Sequence, residues 1–165
     1  MFSGKTVIIT GASSGLGRQL ARDLANQGAN CVLFGRNEDK LAETLALCKA
    51  SGAQAITITG DVSLPEDCQR LVDESVERFG GGDIYISNAG LSMWAPFDEV
   101  EDLGIFRRLI EVNYLGAVHG AHFALPYLKK SQGQFAAMAS IQSKVGVPYH
   151  TGYVASKHAL EGFCE

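Results

Sequence analysis

The 165 residues hold no low-complexity tract, no CxxC pair, no HExxH signature and no Lys/Arg cluster, and each absence removes a class of function. With 14 basic against 18 acidic residues the formal charge is −4, so no positive field is available to hold a phosphate backbone. Nucleic acid is not an expected partner. The four cysteines, Cys31, Cys48, Cys68 and Cys164, lie in apolar-periodic segments and read as small buried hydrophobes of a reducing compartment. His119, His122, His150 and His158 form no paired ligand set with acids, so no metal is expected. The first strand-like run begins at Thr6, directly after MFSGK, so no apolar leader is expected. No run approaches the ~20 apolar residues of a membrane-spanning helix, and the expected location is the cytoplasm.

What is present suits one globular domain over residues 1–165: the chain is 46% hydrophobic, enough to bury a substantial core. Short β-branched runs alternate with helix-period runs, predicting repeated βα units and a parallel sheet. The expected strands are 6–10, 30–34, 54–59, 83–87 and 134–139. Between them, Leu16, Leu20 and Leu24 form one apolar stripe and Leu41, Leu45 and Cys48 another, followed by Gly28 and Gly52 as helix stops. Ser63-Leu64-Pro65-Glu66 reads as a capping box opening a third helix, which ends at Gly80-Gly81-Gly82.

A long helix is expected from Asp102 to about Leu128, with Phe106, Leu109, Ile110, Asn113 and Ala117 on one face. An amide within an apolar stripe must meet specific groups, because burying it unpartnered costs about 1–3 kcal/mol. It is either a core amide bonded to backbone or part of a site. Further along, Gly116, Gly120 and Ala124 leave a shallow groove for close packing, either within the chain or between subunits.

After the first strand, Thr10-Gly11-Ala12-Ser13-Ser14-Gly15-Leu16-Gly17 runs straight into a helix. Glycines admit a pyrophosphate close to the backbone, and the free N–H groups and positive dipole end of the helix bind its charge. The spacing is GxxxGxG rather than GxGxxG. The second strand ends in Gly35-Arg36 where an NAD site presents an acid to the ribose. Glycine makes room there and arginine can pair with a 2′-phosphate, which favours NADP(H) over NAD(H); the other reading is an exposed arginine before the Asn37 cap. Asp61-Val62 and Asn88-Ala89-Gly90 follow the third and fourth strands, at the edge where such sheets bind ligands. Asp61 can accept from an adenine amino group, and Ala89 and Gly90 let the chain pass close to a cofactor. Both stretches also read as ordinary turns.

Tyr153 and Lys157 stand at i and i+4, on one helix face. A phenol titrates near 10, and a nearby cation favours the phenolate and makes tyrosine a usable acid or base. Such a pair is more often a solvated surface. Ser140, closing the fifth strand thirteen residues before Tyr153, argues for a site.

With TGASSGLG, SNAG and YVASK in this order, the chain resembles the short-chain dehydrogenase/reductase family along its length. The resemblance implies an α/β fold: a Rossmann-type doubly wound parallel sheet flanked by helices and lacking the family's last strands. It also implies a catalytic set of Asn113, Ser140, Tyr153 and Lys157. In reduction a hydride leaves nicotinamide C4 for a carbonyl carbon while Tyr153 delivers the proton, and Ser140 bonds the oxygen. Lys157 grips the nicotinamide ribose and activates Tyr153, while Asn113 holds a water. Two departures are minor: Ser87 stands for the first Asn of NNAG, and Ala139 for a first Ser.

Two further strands, a substrate lid and a Pro-Gly segment against the nicotinamide would lie beyond Glu165, so a fragment of a longer enzyme is expected, with its fifth strand left as a hydrophobic edge. The surviving pocket wall, Gln142 to Tyr149, is largely apolar and suggests an apolar carbonyl or alcohol as substrate. The complete protein is expected to form a homodimer or homotetramer. The rival reading, a nonenzymatic dinucleotide-binding or dimerisation module, rests on the missing lid. A Rossmann-like methyltransferase would share the glycine turn without needing Ser140, Tyr153 and Lys157.

Overall fold

The computed structural model describes residues 2–165. Its strands are β1 (Thr6–Thr10), β2 (Asn30–Gly35), β3 (Ala55–Thr59), β4 (Ile84–Ser87) and β5 (Gln134–Ala137). They form one parallel sheet in the order β3-β2-β1-β4-β5. The expected α/β architecture is therefore present. The strand order reverses beside β1, so the carboxyl ends of β1 and β4 flank a natural crevice.

Alternation along the strands builds two cores. Val7, Ile9, Cys31, Leu33 and Ile86 face one side, where α1 (Gly15–Asn26) and α2 (Glu38–Ala50) supply Ala21, Leu24, Leu41 and Cys48. Ile8, Val32, Phe34 and Tyr85 face the other, where α3 (Pro65–Phe79) supplies Leu71 and Val72. This period of two is what a sheet covered on both faces requires. β5 is an edge strand, and Phe135 anchors it by stacking on Tyr85 at 5.4 Å.

Several local expectations need correction. Ser63 is not a helix cap: its hydroxyl and N–H both go to Asp61 Oδ1, at 2.8 and 3.0 Å, and α3 starts at Pro65 after Leu64 with no side-chain cap. Leu16 does not lie on the sheet but is 53% exposed, while Gly17, Ala21 and Leu24 take the buried face of α1. Cys164 is exposed, unlike the other three cysteines.

The long helix is also not uniform. It divides into α4 (Gly104–Ile110), a wide π turn at Glu111–Leu115, and α5 (Gly116–Ser131). An extra residue in that turn shifts the register of every side chain after it. The small-residue groove on α5 is filled from within the chain. A Cβ on Gly116 would meet Val62 at 2.8 Å, and one on Gly120 would strike the Tyr85 hydroxyl. Any subunit contact must use another surface.

Candidate active site

The helix α6 (Thr151–Cys164) carries Tyr153 and Lys157 and packs against α4 and the π turn. Lys157 is 5% exposed, its ammonium donating to Met138 O at 2.6 Å and lying 5.8 Å from the Tyr153 ring centre. Burial holds its pKa below the usual lysine value. Gly152 leaves the space in which Leu109, Met93 and Phe106 pack against the start of the helix: a Cβ there would meet each at 2.8 Å.

Asn113 is 2% exposed and fully engaged. Its Oδ1 accepts from Leu91 N at 2.7 Å, and its Nδ2 donates to Leu91 O and to Ser156 Oγ, each at 2.9 Å. Both amide hydrogens are thus used, and the side chain clamps the segment after β4. Ser140 ends the extended segment after β5. Its Oγ accepts from Gln142 N at 3.2 Å, and Ser143 Oγ accepts from Ser140 N at 3.1 Å, which pins the turn. The Ser140 hydroxyl hydrogen remains free to donate.

The glycine loop is built for close approach. Gly11 adopts φ +67, and a Cβ there would lie 2.9 Å from Ala89 Cα; one on Gly17 would strike Gly11 O. Gly15, at φ +53, faces open space at the start of α1. No side chain caps that helix and no acid stands in its first turn, so its N–H groups and dipole face the cleft.

Two residues that sequence reasoning passed over, Thr44 and Arg18, help Thr10 and Asn88 to hold this loop. Thr44 Oγ1 donates to Ala12 O at 3.0 Å, and Arg18 donates to Ser13 O at 2.7 Å and to Thr44 Oγ1 at 3.1 Å. Thr10 Oγ1 accepts from Asn88 N and Ala89 N, at 3.0 and 3.1 Å. The Asn88 amide donates to Thr10 O at 2.9 Å, so its side chain joins β1 to β4. A buried hydroxyl within the α2 stripe was the one available signal for Thr44.

Two adjoining cavities run along the carboxyl edge. The first, about 350 Å³, is lined by Gly11, Ser13–Leu16, Gly35, Arg36, Asp61, Val62 and the segment from Asn88 to Leu91. The second, about 290 Å³, is lined by Met138, Ala139, Ser92, Tyr153 and Lys157, and it shares Leu16, Asn88, Gly90 and Leu91 with the first. Asn113 and Ser140 line neither; one braces the cleft from below and the other follows its rim. Arg36 is 66% exposed, 3.7 Å from Asp61 Oδ2. Because Asp61 Oδ1 is taken by Ser63, only Oδ2 is left for another donor.

A family model described as short chain dehydrogenase matches residues 5–165. The chain belongs to that family. Among curated relatives, it is 39% identical over 163 residues to 11-beta-hydroxysteroid dehydrogenase 1A of Arabidopsis thaliana, covering 98% of the chain and 47% of the relative. It is also 39% identical to the same plant's 11-beta-hydroxysteroid dehydrogenase-like 4A, covering 99% and 55%. The chain thus spans about half the length of these curated relatives. The X-ray structure of an alcohol dehydrogenase from the archaeon Thermococcus sibiricus, complexed with 5-hydroxy-NADP, superposes with a TM-score of 0.92 at 33% identity, covering 96% of this chain and 68% of that one. Members of the short-chain dehydrogenase family bind NAD(P) and act on small molecules. No described helix is long and apolar enough to cross a membrane.

Proposed function

We propose that the protein is an NADP(H)-dependent oxidoreductase that interconverts an apolar ketone or aldehyde and the corresponding alcohol. One observation carries the reading: the cavity of the glycine loop and Arg36 adjoins the cavity of Tyr153 and Lys157, the two sharing Leu16, Asn88, Gly90 and Leu91. The residues fit a dinucleotide, because Gly15 faces open space at the start of α1 and the first turn of that helix is uncapped. Gly11, Ser13, Ser14, Gly15, Leu16 and Gly17 would cradle the pyrophosphate, and Arg36 would pair with a 2′-phosphate. Asp61 and Val62 would border the adenine. Asn88, Ala89 and Gly90 would pass beneath the nicotinamide ribose, with Lys157 bonding its hydroxyls.

When bound, a nicotinamide supplies the hydride in reduction and takes it in oxidation. The chain's own groups handle the proton. Tyr153 Oη gives it to the carbonyl oxygen in reduction and removes it from the alcohol in oxidation. Lys157 places a buried cation beside that phenol and stabilises its phenolate form. Ser140 donates to the same substrate oxygen as charge develops on it. Asn113 keeps Leu91, and with it the wall between the two cavities, in place. The plant and archaeal relatives, named as a hydroxysteroid dehydrogenase and an alcohol dehydrogenase, support the alcohol/ketone class.

The test is the Tyr153→Phe variant. It should bind NADPH as the unmodified protein does while ketone reduction falls at least ~10²–10⁴-fold, the range of general acid catalysis. Retained turnover would show that Tyr153 is not the acid.

A further inference from the structure

Trp94 is the chain's only tryptophan, and it is 74% exposed beside the proposed active site. Exposure alternates along Ser92, Met93 and Trp94, with Met93 buried against Gly152. Trp94 therefore shares the outward side with Ser92, which lines the Tyr153 cavity. The indole stacks on Tyr149 at 6.3 Å between ring centres and meets His150 edge-on at 4.7 Å, and His150 lies 6.0 Å from the Tyr153 ring. Four rings thus form an unbroken line from the surface to the phenol.

A second observation is independent of that line. Tyr149 adopts φ +68, a left-handed conformation unusual for a bulky residue. Its carbonyl accepts from Ala95 N at 2.9 Å, so the strained residue is tied to the segment that presents Trp94. Strain of this kind persists where the surroundings impose it and concentrates at ligand clamps. Here it sets a 48% exposed phenol ring beside a 74% exposed indole.

Resting on the oxidoreductase reading, we infer that Trp94 and Tyr149 form a specificity shelf that selects ring-bearing ketones by stacking their flat apolar face. His150 is the strut between shelf and phenol: 8% exposed, it fills the space between Trp94 and Tyr153. A linear ketone of the same carbon count reaches Tyr153 without using the shelf, because it has no face to stack.

Two ten-carbon ketones, α-tetralone and decan-2-one, test this on the purified protein with NADP(H). In the NADP⁺ complex, α-tetralone should shift the single indole N–H resonance of Trp94 through its ring current, and decan-2-one should not. In turnover, Trp94→Leu should lower the kcat/KM ratio of α-tetralone to decan-2-one about tenfold, mainly through the KM of α-tetralone, as loss of an aromatic contact would. If both ketones are reduced but the ratio and the resonance are unmoved, the shelf is refuted and the activity stands. If neither is reduced, the activity reading fails at Tyr153 and the resonance alone decides: a shift with α-tetralone upholds the shelf, and no shift overturns it.

Discussion

Asn113 holds Leu91 by both of its backbone groups, Oδ1 taking the N–H at 2.7 Å and Nδ2 giving to the carbonyl at 2.9 Å. This two-point clamp ties the π turn to the segment that separates the two cavities. The second amide hydrogen goes to Ser156 Oγ, which also donates to Tyr153 O at 2.8 Å, so the clamp reaches the helix of Tyr153 and Lys157.

Asn113→Ala should therefore act on stability and on the cofactor cleft together. It strands Leu91's two backbone groups and takes a donor from Ser156 Oγ, which keeps its bond to Tyr153 O, a loss of about 1–3 kcal/mol. Thermal unfolding should show a Tm lower by roughly 2–4 °C per kcal/mol in a chain of this size. Titration with NADPH should show weaker binding as well. An unchanged Tm would mean that solvent replaces the clamp without cost.

The main lines of the fold were legible because they rest on local pattern. A β-branched run such as Thr6–Thr10, closed by a glycine turn, reads as a buried strand wherever it is met, and its 0–4% exposures in the structure agree. The residues of the cleft were legible in combination: the glycine turn follows a strand and opens a helix, and Ser140 thirteen residues before Tyr153 sets the Tyr/Lys pair apart from a solvated helix face. The clamp was not. Leu91 and Asn113 are 22 residues apart, and nothing in an apolar leucine announces that its backbone is the partner of a buried amide. Ser63 was misread because two acceptors compete for a serine after a strand; the nearer one, Asp61, lies behind it rather than in the next helix. The π turn leaves no periodic trace, since a single added residue within an apolar helix preserves a stripe on both sides.

Tyr85 offers a test of packing. Its ring is fully buried against α5, and its hydroxyl finds no hydrogen-bond partner among the described residues. Tyr85→Phe should raise stability by about 1–2 kcal/mol, because it removes an unpaired polar group and leaves the ring in place. Gly120→Ala should do the opposite, by about 1–3 kcal/mol, since the new methyl strikes that hydroxyl and the ring carbons beside it, of which Tyr85→Phe removes only the hydroxyl. In the double variant the penalty of Gly120→Ala should shrink, which a double-mutant cycle in chemical denaturation would measure.

Arg36 decides the cofactor in the proposed function. Its contact with Asp61, at 3.7 Å and with the guanidinium 66% exposed, is too weak to restrain it, so the side chain can turn to a 2′-phosphate. Arg36→Asp removes a charge-assisted pair worth about 1.5–3 kcal/mol, which corresponds to roughly a tenfold to hundredfold fall in the NADPH/NADH ratio of kcat/KM. A ratio that does not move would assign phosphate recognition elsewhere.

Lys157 links the site to pH. Burial holds its pKa below the ordinary 10.5, so protonation is disfavoured more in the folded chain than in the unfolded one. The folded state therefore binds the proton less readily, and stability from this group is fully present above the unfolded value and is lost as pH falls through the lower folded value. Where the lysine is protonated in the fold, the buried ammonium is a burden that its bond to Met138 O offsets only in part. Lys157→Met should unfold a few degrees higher than the unmodified protein at pH 7, while under the proposed function it should lose turnover. The advantage should narrow as pH is raised through 10.5, well above which the unmodified lysine is neutral in both states. Melting curves of the two proteins across that window measure the effect directly; parallel curves would mean that the buried ammonium carries no stability penalty.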